Sequence, residues 1–342
     1  MSTLLVTGAT GFVMSVMARH WLERGHAVVA LDRAPLDEAA RAFFAPVAAR
    51  LTVVRADVSD PASVARALAG HQVTHVVHGA TVTPLSRGTA AEAAIEPEAH
   101  DPAGILDANL MGTVHLLDWA RGRELPGRFV YVSSGAVYRH HGPDTPGAPL
   151  PEDGYVWPRR LYGISKLAAE MVTERYAELF ALSAVSVRLS SVYGTMDRTT
   201  ATRNFRHIPN RIATLGLAGQ VVRVNTLDAV GDYTHSRDAA AGIAALLDAP
   251  HLRFPVYNVA QGEVATVADL LGWAAAAIPG FRHAIVPDGQ ADILADPART
   301  GGMWGAYDVS RIVADTGWRP RATREAFESY VDELRNAGTA AA

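Results

Sequence analysis

Apolar residues fall into two alternating patterns along the chain. Short continuous runs, rich in β-branched residues, occur at Leu4–Val6, Ala27–Leu31, Leu51–Val54, Thr74–Val77, Arg128–Val132, Ala184–Leu189 and Val256–Val259. Longer stretches between them repeat apolar positions three and four apart, the period of a helix buried on one face. The first of these stops at Gly25-His26, and another starts at Ser59-Asp60-Pro61, where Pro61 suits a first helical turn. Continuous apolar runs separated by helices predict parallel strands covered on both faces. The expected fold class is α/β, a doubly wound parallel sheet of about seven strands.

The pattern also divides the chain. Residues 1–190 and about 228–260 read as the sheet domain, with Ser236–Asp248 returning to it as a helix. Residues about 191–227 and 261–335 read as a smaller, mostly helical lobe over the cleft, in which Thr266 opens a helix as its cap. The tail 336–342 is small residues and is expected to fray. Two long connections stand out. Thr81–Asp107 is rich in alanine and acid and reads as a flap or a short extra helix. His140–Asp153 is broken by Pro143, Pro146, Pro149 and Pro151.

Composition narrows the partners. The chain has 342 residues, a net charge of −4 and no cysteine. The mild charge calls for neither nucleic acid nor an anionic membrane. Without cysteine there are no disulfides, no thiolate metal sites and no cysteine nucleophile, which fits a cytoplasmic protein. Residues 1–18 are apolar, but no basic residue precedes the run and a glycine turn interrupts it, so it does not read as a signal peptide. No apolar segment approaches the ~18 residues that cross a membrane.

Candidate chemistry sits at the strand ends. Leu4–Val6 runs into Thr7-Gly8-Ala9-Thr10-Gly11-Phe12-Val13-Met14, then a helix, then a strand ending at Asp32. That order is a dinucleotide-binding unit. Gly8 permits the tight turn, and Gly11 lets the backbone approach a pyrophosphate on the helix N-terminus. Asp32 lies about 20 residues further on, placed to accept hydrogen bonds from the adenosine ribose. A carboxylate there repels a 2′-phosphate, which favours NAD over NADP, although Arg33 is adjacent. Asp57, His78–Thr81 and Ser133–Ser134 fall at further strand ends, where sites of such sheets lie. Tyr162 and Lys166 are spaced to share one helix face. A free tyrosine titrates near pH 10, and a nearby cation favours its phenolate. The pair reads as a tuned proton acceptor for an alcohol. His75 and His78 point to opposite faces of a strand, and His140-His141 has no partner pattern, so no metal site is expected.

Taken in order, Thr7-Gly-Ala-Thr-Gly-Phe12, Asp32, Asp57-Val58, His78-Gly-Ala80, Asn109, Ser133-Ser134, Tyr162-Gly-Ile-Ser-Lys166 and Arg188 resemble the extended short-chain dehydrogenase/reductases, the NAD-dependent epimerase/dehydratase family. The resemblance implies a Rossmann-type fold and roles for the matching positions. Tyr162 is the expected acid/base, Lys166 its tuner and nicotinamide-ribose ligand, and Ser134 the hydroxyl that holds the reacting oxygen. NAD is expected against Gly8, Thr10, Gly11, Phe12, Val13, Asp32, Arg33, Asp57, Val58, His78, Gly79, Ala80, Asn109, Ser133, Tyr162, Lys166, Leu189 and Val192. Substrate is expected against Thr81, Ser134, Gly135, Ser191, Arg198 and Arg203.

The departures from the family pattern narrow the reaction. Met14 stands where a third glycine is usual, which predicts a displaced helix or a looser diphosphate. Gly135 and Ala136 stand where 4,6-dehydratases carry an Asp-Glu pair, so dehydration of that type is disfavoured. Ser191 replaces an asparagine, and Gly231-Asp232-Tyr233 lacks an arginine, of the contacts that grip a nucleoside diphosphate. Losing charge-assisted bonds of about 1.5–3 kcal/mol each disfavours that substrate unless Arg198, Arg203, Arg206 and Arg211 compensate. The expected function is NAD-dependent oxidation of a secondary hydroxyl on a sugar, sugar acid or polyol. An epimerase that retains its NAD is the alternative, and a non-catalytic NAD-binding regulator is a remote one. The resemblance further implies a homodimer through the helices near 101–121 and 160–180.

Overall fold

A computed structural model describes residues 2–83, 97–123, 125–138, 147–199, 206–297, 299–300 and 305–340. The first half alternates strand and helix: β1 (Thr3–Thr7), α1 (Phe12–Glu23), β2 (Ala27–Asp32), α2 (Glu38–Phe44), β3 (Leu51–Arg55), α3 (Pro61–Ala67) and β4 (His75–His78). Then come α4 (Pro102–Leu106), a π turn at Asp107–Met111, α5 (Gly112–Arg121), β5 (Phe129–Ser134), α6 (Leu161–Phe180) and β6 (Ala184–Leu189). The second half has the short strands β7 (Ser191–Tyr193), β8 (Val221–Val224), β9 (Val230–Gly231) and β10 (Tyr233–His235), with α7 (Ile208–Leu217) after β7. It continues with α8 (Ser236–Asp248), β11 (Val256–Val259), β12 (Ala265–Thr266), α9 (Val267–Ala277), β13 (Arg282–Ile285), α10 (Ser310–Thr316) and α11 (Thr323–Ala340).

Seven strands form one parallel sheet in the order β11-β6-β5-β4-β1-β2-β3. They are the seven apolar runs of the sequence. Their nearly continuous apolarity has a direct cause: successive side chains enter opposite cores. Leu4 and Val6 pack on the α1–α8 side, and Leu5 packs on the side of α3 and α5. Val28 and Val29, Val77 and Val76, and Val130 and Phe129 divide in the same way. The exception is β3, which ends the sheet; Val53 there is 46% exposed, so this run is an edge and not a strand covered on both faces.

The chain winds outward from β1 to β3 and then crosses back to place β4 on the other side of β1. Such a reversal opens a crevice beyond the strand ends. In register, Thr7 faces Leu31 on one neighbour and His78 on the other, so the loops after β1, β2 and β4 leave the sheet together.

Local chemistry fixes the helices. Asp37 accepts from Ala40 N (2.7 Å) at the start of α2, and Asp60 from Ala62 N (2.9 Å) and Ser63 N (3.1 Å) at the start of α3. Thr266 and Asp269 form a reciprocal capping box at α9. Each cap contributes about 1 kcal/mol. Helices α7, α9 and α11 enclose a separate apolar cluster containing Ile212, Leu270, Leu271, Phe327 and Val331. This region is less purely helical than its sequence suggests: β7 pairs with β10, β8 with β13, and β9 with β12. Helix α11 runs through Ala340, past Asn336 where fraying is expected from composition. Asn336, Gly338 and Thr339 are poor helix formers and only Ala337 and Ala340 are good ones; Arg335 anchors the preceding turn by donating to Ala277 O (2.7 Å). Among the described residues, no helix is long and apolar enough to cross a membrane.

Candidate active site

A single cleft of about 970 Å³ follows the strand ends from the β1–β2 loops to the base of the lobe. The glycine loop forms one end. Gly8 has φ of +72°, and a Cβ there would lie 2.9 Å from the backbone of Ala80, so only glycine fits. Asp32 completes this end. Its Oδ2 accepts from Thr10 N (3.0 Å) and Thr10 Oγ1 (2.8 Å), and its Oδ1 accepts from Ala34 N (3.0 Å). Asp57 is held by the Ser59 amide (2.9 Å) and hydroxyl (2.7 Å). Arg33, Val58, Gly79 and Ala80 line the same end.

Met14 is accommodated against the facing loop. The side chain is buried and lies over Gly79, where an added Cβ would collide with its sulfur. The bulk that the third glycine position normally lacks is accommodated by a missing side chain on the facing loop.

The other end carries the acid/base candidates. Tyr162 and Lys166 lie on consecutive turns of α6, with the ammonium 5.8 Å from the phenol ring centroid. Lys166 is 2% exposed and donates to Val132 O (2.8 Å). Burial lowers its pKa to about 7, against an opposing pull from the Glu170 carboxylate. Ser134 closes β5 and accepts from Ala136 N (3.2 Å). Ser133 Oγ is buried on the cleft wall and makes no hydrogen bond among the described residues. Leu189, Ser191 and Val192 line the same cleft, with Leu189 in register beside Ser134 on the neighbouring strand.

Three of the residues singled out by sequence lie elsewhere. His78 is fully buried, with Nδ1 2.6 Å from Thr7 Oγ1 and Nε2 3.1 Å from Thr113 Oγ1. Its strand position turns it into the core under α5, and burial, aided by Lys166, lowers its pKa to about 3, so it is neutral. Asn109 is 1% exposed and does not reach the cleft. Its side chain accepts from Thr81 Oγ1 (2.9 Å) and Val82 N (2.7 Å) and donates to Val82 O (3.0 Å) and Ser165 Oγ (3.1 Å). It therefore shapes the wall that Thr81 forms, from a π turn of the kind that commonly marks functional sites. Arg198 does not line the cleft; it donates to both Asp37 oxygens (3.0 and 2.9 Å) and to Thr10 O (3.0 Å). Arg203 lies outside the described residues. Arg188 is likewise structural, paired with Glu170 (2.8 Å) and donating to Glu152 O (2.9 Å) inside the protein.

Sequence reasoning missed the far wall. Trp157, Arg159 and Arg160 precede α6, and His207, Arg299 and Tyr307 come from the second half of the chain. The Tyr307 hydroxyl occupies the space that a side chain at Gly135 would fill. Its backbone N–H donates to Asp232 (3.1 Å), which also accepts from Gln261 N (2.9 Å) and Gly262 N (3.0 Å). Arg159 and Arg160 were legible as a charged pair just before Tyr162. His207, Arg299 and Tyr307 are brought in by tertiary packing and carry no local signal. Among the described residues, no three His, Asp or Glu side chains are grouped to hold a metal ion.

Residues 4–260 match the model of the NAD dependent epimerase/dehydratase family. A curated relative, UDP-glucuronate 4-epimerase 1 of Arabidopsis thaliana, is 27% identical over 79% of this chain, which spans 64% of that relative's length. Among solved structures, UDP-glucose 4-epimerase of Thermus thermophilus in complex with NAD is 26% identical, with TM-score 0.73, covering 98% of this chain and 99% of its own. An L-threonine dehydrogenase from Cupriavidus necator in its holo form, 22% identical, has the same fold, with TM-score 0.77 over 97% of this chain and 99% of its own.

Proposed function

This chain belongs to the NAD-dependent epimerase/dehydratase family, and on that premise we propose that it oxidises a secondary hydroxyl of a carbohydrate-like substrate. The observation that carries this reading is the meeting of Ser134, Tyr162 and Lys166 in the same cleft as the Gly8–Asp32 cradle. The cradle fits NAD: Gly8 leaves room for a close backbone approach, Asp32 presents a carboxylate to a ribose, and the orphaned Ser133 hydroxyl offers a hydrogen bond on the cleft wall. Gly8, Thr10, Gly11, Phe12 and Val13 would hold the diphosphate, with Arg33, Asp57 and Val58 at the adenosine and Leu189, Val192 and Lys166 at the nicotinamide end. When bound, NAD supplies the hydride acceptor.

Tyr162 takes the proton of the substrate hydroxyl, and Ser134 holds the same oxygen. Lys166 stabilises the phenolate. Thr81, Gly135 and Ser191 border the substrate. Arg198 is better read as a brace on the glycine loop than as a substrate ligand. We assign the sheet domain to residues 1–190 and about 228–260, and the substrate lobe to about 191–227 and 261–335.

A second reading, epimerisation with NAD retained, is favoured by the relatives that are sugar-nucleotide 4-epimerases. Denaturing the purified protein and quantifying released nicotinamide separates the two. A near-stoichiometric content indicates an epimerase, and an empty protein that reversibly binds NAD and forms NADH with a sugar or sugar acid indicates a dehydrogenase. A protein that neither carries nor binds NAD would sink both.

The finer features follow from the surface. Met111, Ile164 and Met171 are exposed apolar residues on the π turn and α6, and we propose that they are covered by a second copy in a homodimer. The absence of cysteine supports a cytoplasmic location.

A further inference from the structure

Behind the glycine loop runs a chain of buried hydrogen bonds that the proposed chemistry leaves unused. Thr7, His78 and Thr113 are fully buried, and Asn109 nearly so. Thr7 Oγ1 lies 2.6 Å from His78 Nδ1, and His78 Nε2 lies 3.1 Å from Thr113 Oγ1. Thr113 Oγ1 in turn donates to Asn109 O (2.8 Å).

The direction of this chain follows from either end. A hydroxyl has one proton and two lone pairs. Thr7 Oγ1 accepts from Gly79 N (3.2 Å) and Ala80 N (3.2 Å). Both lone pairs are then taken, so its proton goes to His78, and Nδ1 is the acceptor. At the other end Thr113 gives its proton to Asn109 O, so it can only accept from Nε2. Each end requires the same neutral tautomer, with the proton on Nε2. An imidazolium would set a second proton against that of Thr7. Burial and the Lys166 ammonium act in the same sense, lowering the His78 pKa to about 3.

The chain ties together three elements behind the cleft. Thr7 closes β1 and is followed by Gly8. Gly79 and Ala80 form the turn after β4 and lead into Thr81. Asn109 sits in the π turn, and its side chain holds Thr81 Oγ1 and Val82 N. The approach that Thr7 bridges is close, since a Cβ at Gly8 would lie 2.9 Å from the Ala80 backbone. His78 does not line the cleft. It acts on these loops through the orientation of one hydroxyl. With Nδ1 protonated, the Thr7 proton would have to turn toward the Gly79 and Ala80 amides and break the link between the loops. A buried network of this kind fixes one arrangement only while every member is satisfied.

We infer that His78 is a positioning residue of the cofactor cradle: held as the Nε2–H tautomer, it orients the Thr7 hydroxyl so that the Gly8 turn and the Gly79–Ala80 turn keep the spacing that NAD needs. This rests on the reading of the Gly8–Asp32 cradle as the NAD site.

The test combines calorimetric titration with NAD and nitrogen-15 spectra of histidine-labelled protein, and it needs no substrate. In wild type one histidine should show a pyrrole-like Nε2 and a pyridine-like Nδ1 from about pH 8 to about pH 5, and its signals should vanish in His78→Asn. An asparagine amide places its oxygen near the position of Nδ1. His78→Asn therefore keeps an acceptor for Thr7, and its NAD affinity should stay within about threefold of wild type. His78→Leu lacks the acceptor and Thr7→Val lacks the hydroxyl. Each should bind NAD about tenfold more weakly or worse, the scale of a buried polar group left unsatisfied. The double variant should bind no more weakly than the weaker single, because both break one link. An Nδ1–H tautomer or an imidazolium at His78 overturns the inference. So does wild-type affinity in both His78→Leu and Thr7→Val, or a His78→Asn protein as weak as His78→Leu, which would reduce the ring to packing. Should His78→Leu fail to fold, Thr7→Val and the wild-type spectrum decide. A wild type that binds no NAD fails the reading of the cradle and the inference with it; variants that match a wild type that does bind fail the inference alone.

Discussion

Lys166 sets the electrostatics of the site. Burial holds its pKa at about 7 against an ordinary 10.5. Between these values the unfolded chain carries a proton that the folded chain lacks, so stability rises with pH across that window. Below about pH 7 both states are charged, and the full cost of burying the ammonium falls on the folded state. The difference in unfolding free energy between wild type and Lys166→Met, both free of NAD, should therefore increase from about pH 7 toward 10.5, by up to ~1.4 kcal/mol per unit. Chemical denaturation across that range measures it, and a flat difference would mean that the ammonium finds water or a counter-charge. The same low pKa has a functional side: a phenolate formed at Tyr162 during turnover would favour the charged form of Lys166.

The elements around the cleft are matched to one another. The contact of Met14 with Gly79 is one case. Gly79→Ala should destabilise the protein by about 1–3 kcal/mol, as overpacking does, and Met14→Gly in the same chain should recover most of the loss. Thermal unfolding of the two singles and the double reads this coupling; additive effects would contradict it. The brace of Arg198 on Asp37 and Thr10 is another. Its carboxylate is 50% exposed, so the pair contributes at most about 1 kcal/mol to stability. Its consequence is positional, since it ties the glycine loop to the segment after β7. Arg198→Ala should release bound NADH several-fold faster in stopped flow with little change in melting temperature; an unchanged release rate would reduce the pair to a surface contact.

These elements also show what a sequence makes legible. The strands could be read because adjacent residues such as Leu4 and Leu5 enter opposite cores, a demand that leaves a continuous apolar run. Gly8, Asp32, Tyr162 and Lys166 could be read because their chemistry depends on local spacing. His78 and Asn109 sit off the cleft lining because a polar residue at a strand end or on a helix can satisfy itself inward, here on Thr7, Thr113 and the backbone of Val82. Tyr307 and Arg299 were invisible because only the packing of the second half of the chain brings them to the cleft.

At the scale of the whole molecule, two apolar cores flank the sheet and a third fills the lobe. Asp232, fully buried between them, takes three backbone N–H bonds from Gln261, Gly262 and Tyr307. It thus fixes the Tyr307 segment of the cleft wall, whose hydroxyl lies against Gly135. The outer face of α6 is apolar, with Met171 64% and Leu179 54% exposed. Sedimentation should find a dimer, and Ile164→Asp/Met171→Asp should shift it to monomer; a monomeric wild type would remove the proposed interface.

The central claim is that Tyr162 is the base of a cleft that holds NAD independently of it. Tyr162→Phe removes one oxygen and leaves the fold and the Gly8–Asp32 cradle in place. Turnover and NAD binding should be measured on this variant together. The account predicts a loss of turnover on the order of 10²–10⁴-fold with NAD affinity within a few-fold of wild type. Turnover near the wild-type rate would contradict it.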